Sequence, residues 1–383
     1  MPVPVNRFAP YRVLSLRLNP LYNAGSPAWP IESNVKQRQS RRQRNAPTIS
    51  DVAREAGVSP MTVSRVINGE DNVRAKTRET VDAAIKSLGY TPNSAARSLA
   101  GGAQIKIGLL HSNLNASYLS AFLIGALEQS SRYNIQLVVE HCDVALNAEA
   151  VAARMLSGGV EAMLLPPPLS DLPTVLEVLE NSDTPAVLIA SEQPRSNISV
   201  VKIDDYQAAY EMTRHIASLG HKRIGFITGD CGQQVSQRRL EGYRQALKDS
   251  GLPVADELIE EGIFTYRSGL NAAEGLLNLK RPPSAIFACN DEMAAATISV
   301  AQRRGLDVPR DLTVCGFDDT ALATTIWPEL TTIHQPVVDM SRAAVDLLVK
   351  KVRAMRAGEA EQGQQVQLDF TLIRRRSDAP PRT

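Results

Sequence analysis

The sequence predicts an α/β protein in which a small helical N-terminal unit precedes two lobes of parallel sheet. Three observations carry this. From Thr48 to Leu88, apolar residues recur at helical spacing in three short stretches, interrupted at Gly57, at Asn68-Gly69 and at Gly89. From Ile105 onward, short apolar runs alternate with helical patterns, the rhythm of strands covered by helices on both faces. These units are too many for one comfortable open sheet, so they divide into two lobes.

Composition sets outer bounds. A chain of 383 residues suits two or three domains. Its 43% hydrophobic and 22% charged content is ordinary for a soluble globular protein. The net charge of +1 conceals an uneven distribution: between Lys36 and Ala100, twelve Lys and Arg stand against six Asp and Glu. A basic N-terminal module on a mildly acidic body fits DNA contact by one end only. Cys142, Cys231, Cys289 and Cys315 form no Cys-x-x-Cys pair and are expected to be reduced structural thiols. No apolar run is long enough to span a membrane, and the N-terminus lacks the apolar core of a secretory signal, so a cytoplasmic location is expected.

Residues 1–46 have no sustained period, are broken repeatedly by proline and end in the Gln/Arg run Gln37 to Arg44. They are expected to be a disordered basic extension. Order starts at Thr48, which with Asp51 has the spacing of a capping box ahead of a first helix. Ser59 is placed to cap a second helix that has Pro60 at its first position. A third helix is predicted from about Ala75 to Ser87, stopped by Gly89. Val52 and Ala53 can share a small core with Val63 and Val66, which leaves Pro60, Met61, Ser64 and Arg65 near the opposite face. Two short helices joined in this way form a helix-turn-helix pattern, and an Arg on the second suits guanine recognition in a major groove. This unit is expected to span 47–91, and a linker 92–104.

Strands are predicted at Ile105–Leu110, Ile135–Val139, Ala162–Leu165, Ala186–Ile189, Arg223–Thr228, Ala285–Ala288 and Leu312–Gly316. Helices are expected near 118–133, 147–157, 171–181, 206–219, 235–250, 267–278 and 291–304. The two-lobed domain should cover 105–373, with lobe 1 about 105–204, lobe 2 about 205–332 and a crossover near 333–337. Residues 374–383 read as a polar tail. A ligand belongs between the lobes at the carboxyl ends of the strands. Arg239, Asn290 and Asp318 fall at such loop ends. Arg239 with Asp318 could clamp adjacent hydroxyls or a purine edge, or be a structural ion pair, and Asn290 could equally cap a helix. Pro166-Pro167-Pro168 and Ala190 give the first lobe a more apolar wall, with Ser112, Asn115 and Tyr118 as its candidate contacts. His221 reads as a surface turn and His334 as structural.

The run continues through Val73, Thr77-Arg78, Val81, Ala84, Leu88-Gly89-Tyr90, Pro92-Asn93, Ala96-Arg97 and Leu99. In this order the motifs resemble the LacI/GalR family over about residues 47 to 373. That resemblance implies a helix-turn-helix domain, a hinge helix and a two-lobed, periplasmic-binding-protein-like effector domain. It also implies roles. Pro60 and Met61 match the start of the recognition helix, and Arg65 a base- or phosphate-contacting arginine. Asn93 to Ala100 match the hinge helix, and Leu99 the side chain that wedges into the minor groove. Thr48, Ser59, Thr62, Ser64, Asn68 and Ala96 complete the set expected at DNA. Arg239, Asn290 and Asp318 match ligand-contacting positions, and Phe264 the aromatic that stacks on the ligand ring. Ala190 stands where some sugar-binding relatives carry Asp.

The sequence has no His-Glu-x-x-His, no Gly-x-Ser-x-Gly and no phosphate-binding Walker loop, and its five histidines show no metal spacing. No enzyme, metal or cofactor is expected. The expectation is a homodimeric repressor of carbohydrate-utilisation genes, released from a palindromic, double-stranded operator by a saccharide. A purine or nucleoside is the alternative effector. A solute-binding transport protein, which shares the two-lobed fold, would need a secretion signal and no helix-turn-helix.

Overall fold

The computed structural model describes residues 47–67, 73–90, 104–112, 116–192, 195 and 197–382. The chain forms two compact units that part between Ala100 and Gly101.

In the first unit, α1 (Ile49–Glu55), α2 (Pro60–Ile67) and α3 (Ala75–Leu88) surround a core that includes Val52, Ala53, Val63, Val66, Val81, Ala84 and Tyr90. Thr48 and Asp51 close a reciprocal capping box: the Asp51 N–H donates to Thr48 Oγ1 at 3.3 Å and the Thr48 N–H to Asp51 Oδ2 at 2.9 Å. Ser59 caps α2 by accepting from the Thr62 N–H at 3.1 Å. Gly89 ends α3 at φ +58°, a left-handed turn that a side chain would resist.

The second unit holds two six-stranded sheets. The strands are β1 (Lys106–His111), β2 (Gln136–His141), β3 (Ala162–Leu165), β4 (Ala186–Ile189), β5 (Ile198–Lys202), β6 (Ile224–Ile227), β7 (Ile259–Glu260), β8 (Ala285–Ala288), β9 (Thr313–Asp318), β10 (Thr331–His334), β11 (Gln365–Gln367) and β12 (Thr371–Ile373). Lobe 1 runs β11-β5-β4-β3-β1-β2, all parallel. Lobe 2 runs β12-β10-β9-β8-β6-β7, parallel except for β12 against β10. The helices are α4 (Ala116–Tyr133), α5 (Ala148–Ser157), α6 (Pro173–Asn181), α7 (Asp205–Ser218), α8 (Gln234–Asp249), α9 (Tyr266–Leu277), α10 (Asp291–Arg303), α11 (Leu322–Thr325) and α12 (Val337–Arg356). Each lobe reverses its strand order once, between β1 and β3 and between β6 and β8. Such switch points open a crevice at the carboxyl ends of the strands.

Three features depart from the sequence reading. The first is α12, twenty residues long, which packs on α4 and on β3–β5. The chain therefore returns to lobe 1 after β10, adds β11 there, and crosses again to pair β12 in lobe 2. The second is the segment after Ile373, which is no free polar tail. Ser377 and Asp378 are buried. Ser377 Oγ donates to the Val314 carbonyl at 2.5 Å and accepts from the Thr331 N–H at 2.8 Å. Asp378 bonds His215 Nε2 at 2.9 Å and the Thr331 hydroxyl. These residues are polar because they satisfy buried groups along β9 and β10, not because they face water. The third is His221, which is no surface turn: it is 2% exposed, its Nδ1 bonded to Ser284 Oγ and its Nε2 to the Ala379 carbonyl, both at 2.8 Å. Of the cysteines, Cys231 is exposed and the other three are buried.

Candidate effector site and DNA-reading face

A cavity of about 550 Å³ lies between the lobes at the strand ends. Tyr118, Val144, Pro167, Pro168 and Ala190 wall it from lobe 1. Asp230, Gln233, Val235, Arg239, Ile263, Phe264, Thr265, Asn290, Glu292 and Asp318 wall it from lobe 2, and Gln335 stands at the crossover. Four predicted contacts of lobe 2 and one of lobe 1 thus converge. Ser112 does not reach the wall: it is fully buried after β1, and its Oγ has no hydrogen-bond partner among the described residues. Asn115 lies outside the described residues.

Arg239 sits on α8 with its guanidinium fixed on three sides. Its Nε donates to Asp205 Oδ1 at 2.8 Å, one Nη lies at 2.8 Å from the same oxygen, and the other Nη donates to the Cys289 carbonyl at 2.5 Å. The Phe317 ring lies 3.6 Å beneath it. Its counter-ion is therefore Asp205 and not Asp318, and the guanidinium N–H groups left over remain for a ligand. Sequence reasoning passes over Asp205. The usable signal is Asp204-Asp205 directly after the apolar run Ile198–Ile203, an acidic pair at the end of a strand that reading does not locate.

Asp318 ends β9 at φ +110° and accepts from Gln335 Nε2 at 2.7 Å. Burial pushes its carboxyl up to about 8, against the pull of Arg239 and with Asp291 adding to the rise. Asp291 is itself pushed up to about 7 by burial, although Thr332 and Thr320 donate to it.

Asn290 both caps and clamps. Its Oδ1 accepts from the Met293 N–H at 3.0 Å to start α10, and its Nδ2 donates to the Phe264 carbonyl at 2.9 Å. Phe264 itself has φ +60°. Its ring lies over Gly229, where any Cβ would collide with the ring carbons, so only glycine leaves room for it. Tyr118 is buried, stacked on Phe122 at 6.4 Å, and burial raises its hydroxyl above the usual phenol range. Ala190 adopts φ +59° where the wall bends.

On the first unit, Pro60, Met61 and Arg65 are exposed, Met61 at 64%, while Val63 and Val66 of the same helix are buried. Met61 and Arg65 are one helical turn apart and share a face. Thr62 and Ser64 are half-buried, and Thr48 and Ser59 are exposed but serve as caps. Asn68, Asn93, Ala96 and Leu99 lie outside the described residues. Among the described residues, no group of three His, Cys, Asp or Glu could hold a metal ion, and no helix is long and apolar enough to cross a membrane.

Comparison with known proteins agrees with both halves. Residues 48–93 match the model of bacterial regulatory proteins of the lacI family, and residues 213–377 that of a periplasmic binding protein-like domain. Catabolite control protein A of Priestia megaterium is 38% identical over 307 residues, covering 79% of this chain and 92% of that protein. The structure of a transcriptional regulator CelR–cellobiose complex aligns with TM-score 0.66 at 31% identity, over 86% of this chain and 99% of that one. That of the lac repressor dimer bound to operator and the anti-inducer ONPF aligns with TM-score 0.68 at 29% identity, over 87% and 99%. With a capped helix-turn-helix at one end and a walled cleft between two parallel sheets at the other, the chain belongs to the lacI family of bacterial regulatory proteins and is a DNA-binding transcriptional regulator, not an enzyme.

Proposed function

We propose that this regulator is a cytoplasmic, homodimeric repressor of carbohydrate-utilisation genes, released from a palindromic operator by a saccharide. The carrying observation is the cleft. Arg239, Asn290, Asp318 and Gln335 offer donors and acceptors for vicinal hydroxyls, while Phe264 offers a flat face to a sugar's C–H surface. Pro167, Pro168 and Ala190 remove polar contacts from the opposite wall and leave room for a second ring. The cellobiose complex of one structural neighbour supports a ligand of that size.

In this reading residues 47–91 bind the operator and 92–104 form the hinge. Pro60, Met61 and Arg65 read bases or phosphates, and Leu99 wedges the minor groove. The effector acts only through its different affinity for the DNA-competent and DNA-released states. A thermal-shift screen of mono- and oligosaccharides beside nucleobases and nucleosides tests the ligand, because a ligand at 100 times its Kd stabilises by about 2.7 kcal/mol. Operator titration with and without the hit then gives the sign of the coupling. A purine or nucleoside is the second reading, favoured by two aromatic faces, Tyr118 and Phe264, in one cavity. Stabilisation by a base or nucleoside alone would select it.

A further inference from the structure

Phe264 holds a backbone conformation that a bulky side chain resists, since its φ of +60° lies in the left-handed region. Such a residue persists where its surroundings over-determine it, and these cases gather at ligand sites. Here the surroundings can be named. Asn290 Nδ2 donates to the Phe264 carbonyl at 2.9 Å, and two residues along the chain the Glu292 carboxylate accepts from the Tyr266 backbone N–H. Both side chains belong to the start of α10, so that one helix end grips the main chain on either side of Phe264. The rest of the connection from β7 to α9 is tied down as well. The Gly262 N–H donates to the Thr228 carbonyl and the Ile263 N–H to Ser268 Oγ, both at 3.0 Å.

Behind the ring lies the chain just after β6. Phe264 is a wall of the cavity and Gly229 is not. A Cβ on Gly229 would meet Cζ, Cε2 and Cε1 of the ring, far inside the contact distance of about 3.5–4.0 Å at which carbon atoms attract. The Gly229 backbone is poorly placed to retreat: the Thr228 N–H donates to the Glu260 carbonyl at 2.9 Å, and Thr228 Oγ1 to the Gly229 carbonyl at 2.8 Å. With the main chain of Phe264 gripped from α10, what yields is the ring, and away from Gly229 means into the cleft.

We infer that Gly229 and Glu292 are specificity-determining positioning residues for the effector. Gly229 by its bareness, and Glu292 by its hold on Tyr266, set the depth and plane of the Phe264 ring, and with them the thickness of the ligand ring that fits against it. The inference rests on the reading of this cleft as the effector site. It deepens that reading by assigning two residues that act on the ligand through a third.

The test uses the full-length protein with glucose, cellobiose, cellotriose and adenosine as probes. Thermal shift finds the probe that binds, and calorimetry gives its affinity for wild type, Gly229→Ala, Phe264→Ala and the double variant. Phe264→Ala should weaken binding by about tenfold, through loss of the stacking face. Gly229→Ala should weaken it by a similar factor while the ring is present, and by less than about twofold once residue 264 is alanine, because coupled residues are not additive. Glu292→Ala is run through the same cycle and supplies the same reading if Gly229→Ala does not fold. A Gly229→Ala protein with wild-type affinity overturns the inference, as does a loss at either position that is as large without the ring as with it. If Phe264→Ala itself leaves the affinity unchanged, the reading of the cleft as the effector site fails instead.

Discussion

Arg239 and Asp205 form a buried ion pair, 4% and 6% exposed, and that burial decides what each can be asked to do. Removing one partner strands the other charge away from water, at about 3–5 kcal/mol. Asp205→Ala should therefore lower the urea midpoint strongly as well as weaken effector binding, although Asp205 is not among the cavity walls; a midpoint within error of wild type would mean that the pair does not hold Arg239. Asp318 gives a prediction with a definite sign. Its folded carboxyl is pushed up to about 8 from the ordinary 3.8, so between those values the native state keeps a proton that the unfolded chain has released. Its contribution to stability therefore falls as pH rises through that window. In thermal scans, Asp318→Asn should show a flatter decline from pH 5 to pH 8.5 than wild type; parallel curves would refute the shift. Of the side chains that sequence reasoning places here, Asn290 and Asp318 stand at the ends of strands it locates, and Arg239 on a helix it locates. Asp205 and Gln335 follow strands it does not locate, and their partners come from distant parts of the chain, which no local pattern reveals.

At the scale of single elements, the short helices are legible because their ends carry local chemistry. The Thr48 box, the Ser59 cap and Gly89 can all be read within four residues, and the structure has each of them. Ser59→Ala should cost about 1 kcal/mol of stability in the first unit, and Ser59→Asp should largely restore it; an unchanged unfolding midpoint for Ser59→Ala would show that the cap is idle. The pattern of α12 is legible too, since Val337, Met340, Ala344, Val345, Leu348 and Val352 recur every three to four residues, all of them buried. The expected crossover near 333–337 ends on its first residue. β5 and β11 are harder to read: five and three residues long, they take their place from neighbours in the sheet more than from their own pattern. The C-terminal segment shows the limit of composition. Truncation after Arg376 would remove the partners of the Thr331 N–H, of the Val314 carbonyl and of His215. Each buried group left unmet costs about 1–3 kcal/mol, so the truncated chain should lose several degrees of thermal midpoint or fail to stay soluble. An unaltered midpoint would restore the reading as a merely polar tail.

In the two-lobed unit taken whole, the lobes meet beside the cavity as well as across it. Asp171 of lobe 1 accepts from the backbone N–H of Gln234 at the start of α8, and the Gln234 side chain accepts from the Glu192 N–H at 3.0 Å. Glu192 also pairs with Lys202 at 3.0 Å within its own lobe and lies 3.5 Å from Arg238 on α8. A carboxylate at a helix N-terminus is favoured by the helix dipole as well as by the hydrogen bond. The contacts of Asp171 and Glu192 with Gln234 and Arg238 exist only while the lobes are apposed, so they belong to the same equilibrium that a ligand in the cleft would bias. Linkage then fixes the direction of the effect: weakening them must lower the affinity for any ligand that prefers apposed lobes, by the fraction of protein that now stands open. Once the open form dominates, Asp171→Ala should therefore reduce effector affinity by roughly tenfold for each 1.4 kcal/mol by which it destabilises the apposed state, with the ligand's own polar partners unaltered. Small-angle scattering of the ligand-free variant should show a larger radius of gyration, and saturating effector should return it to the wild-type value. If affinity fell while the scattering of the ligand-free protein stayed that of wild type, Asp171 would act on the cavity itself and not on the apposition of the lobes.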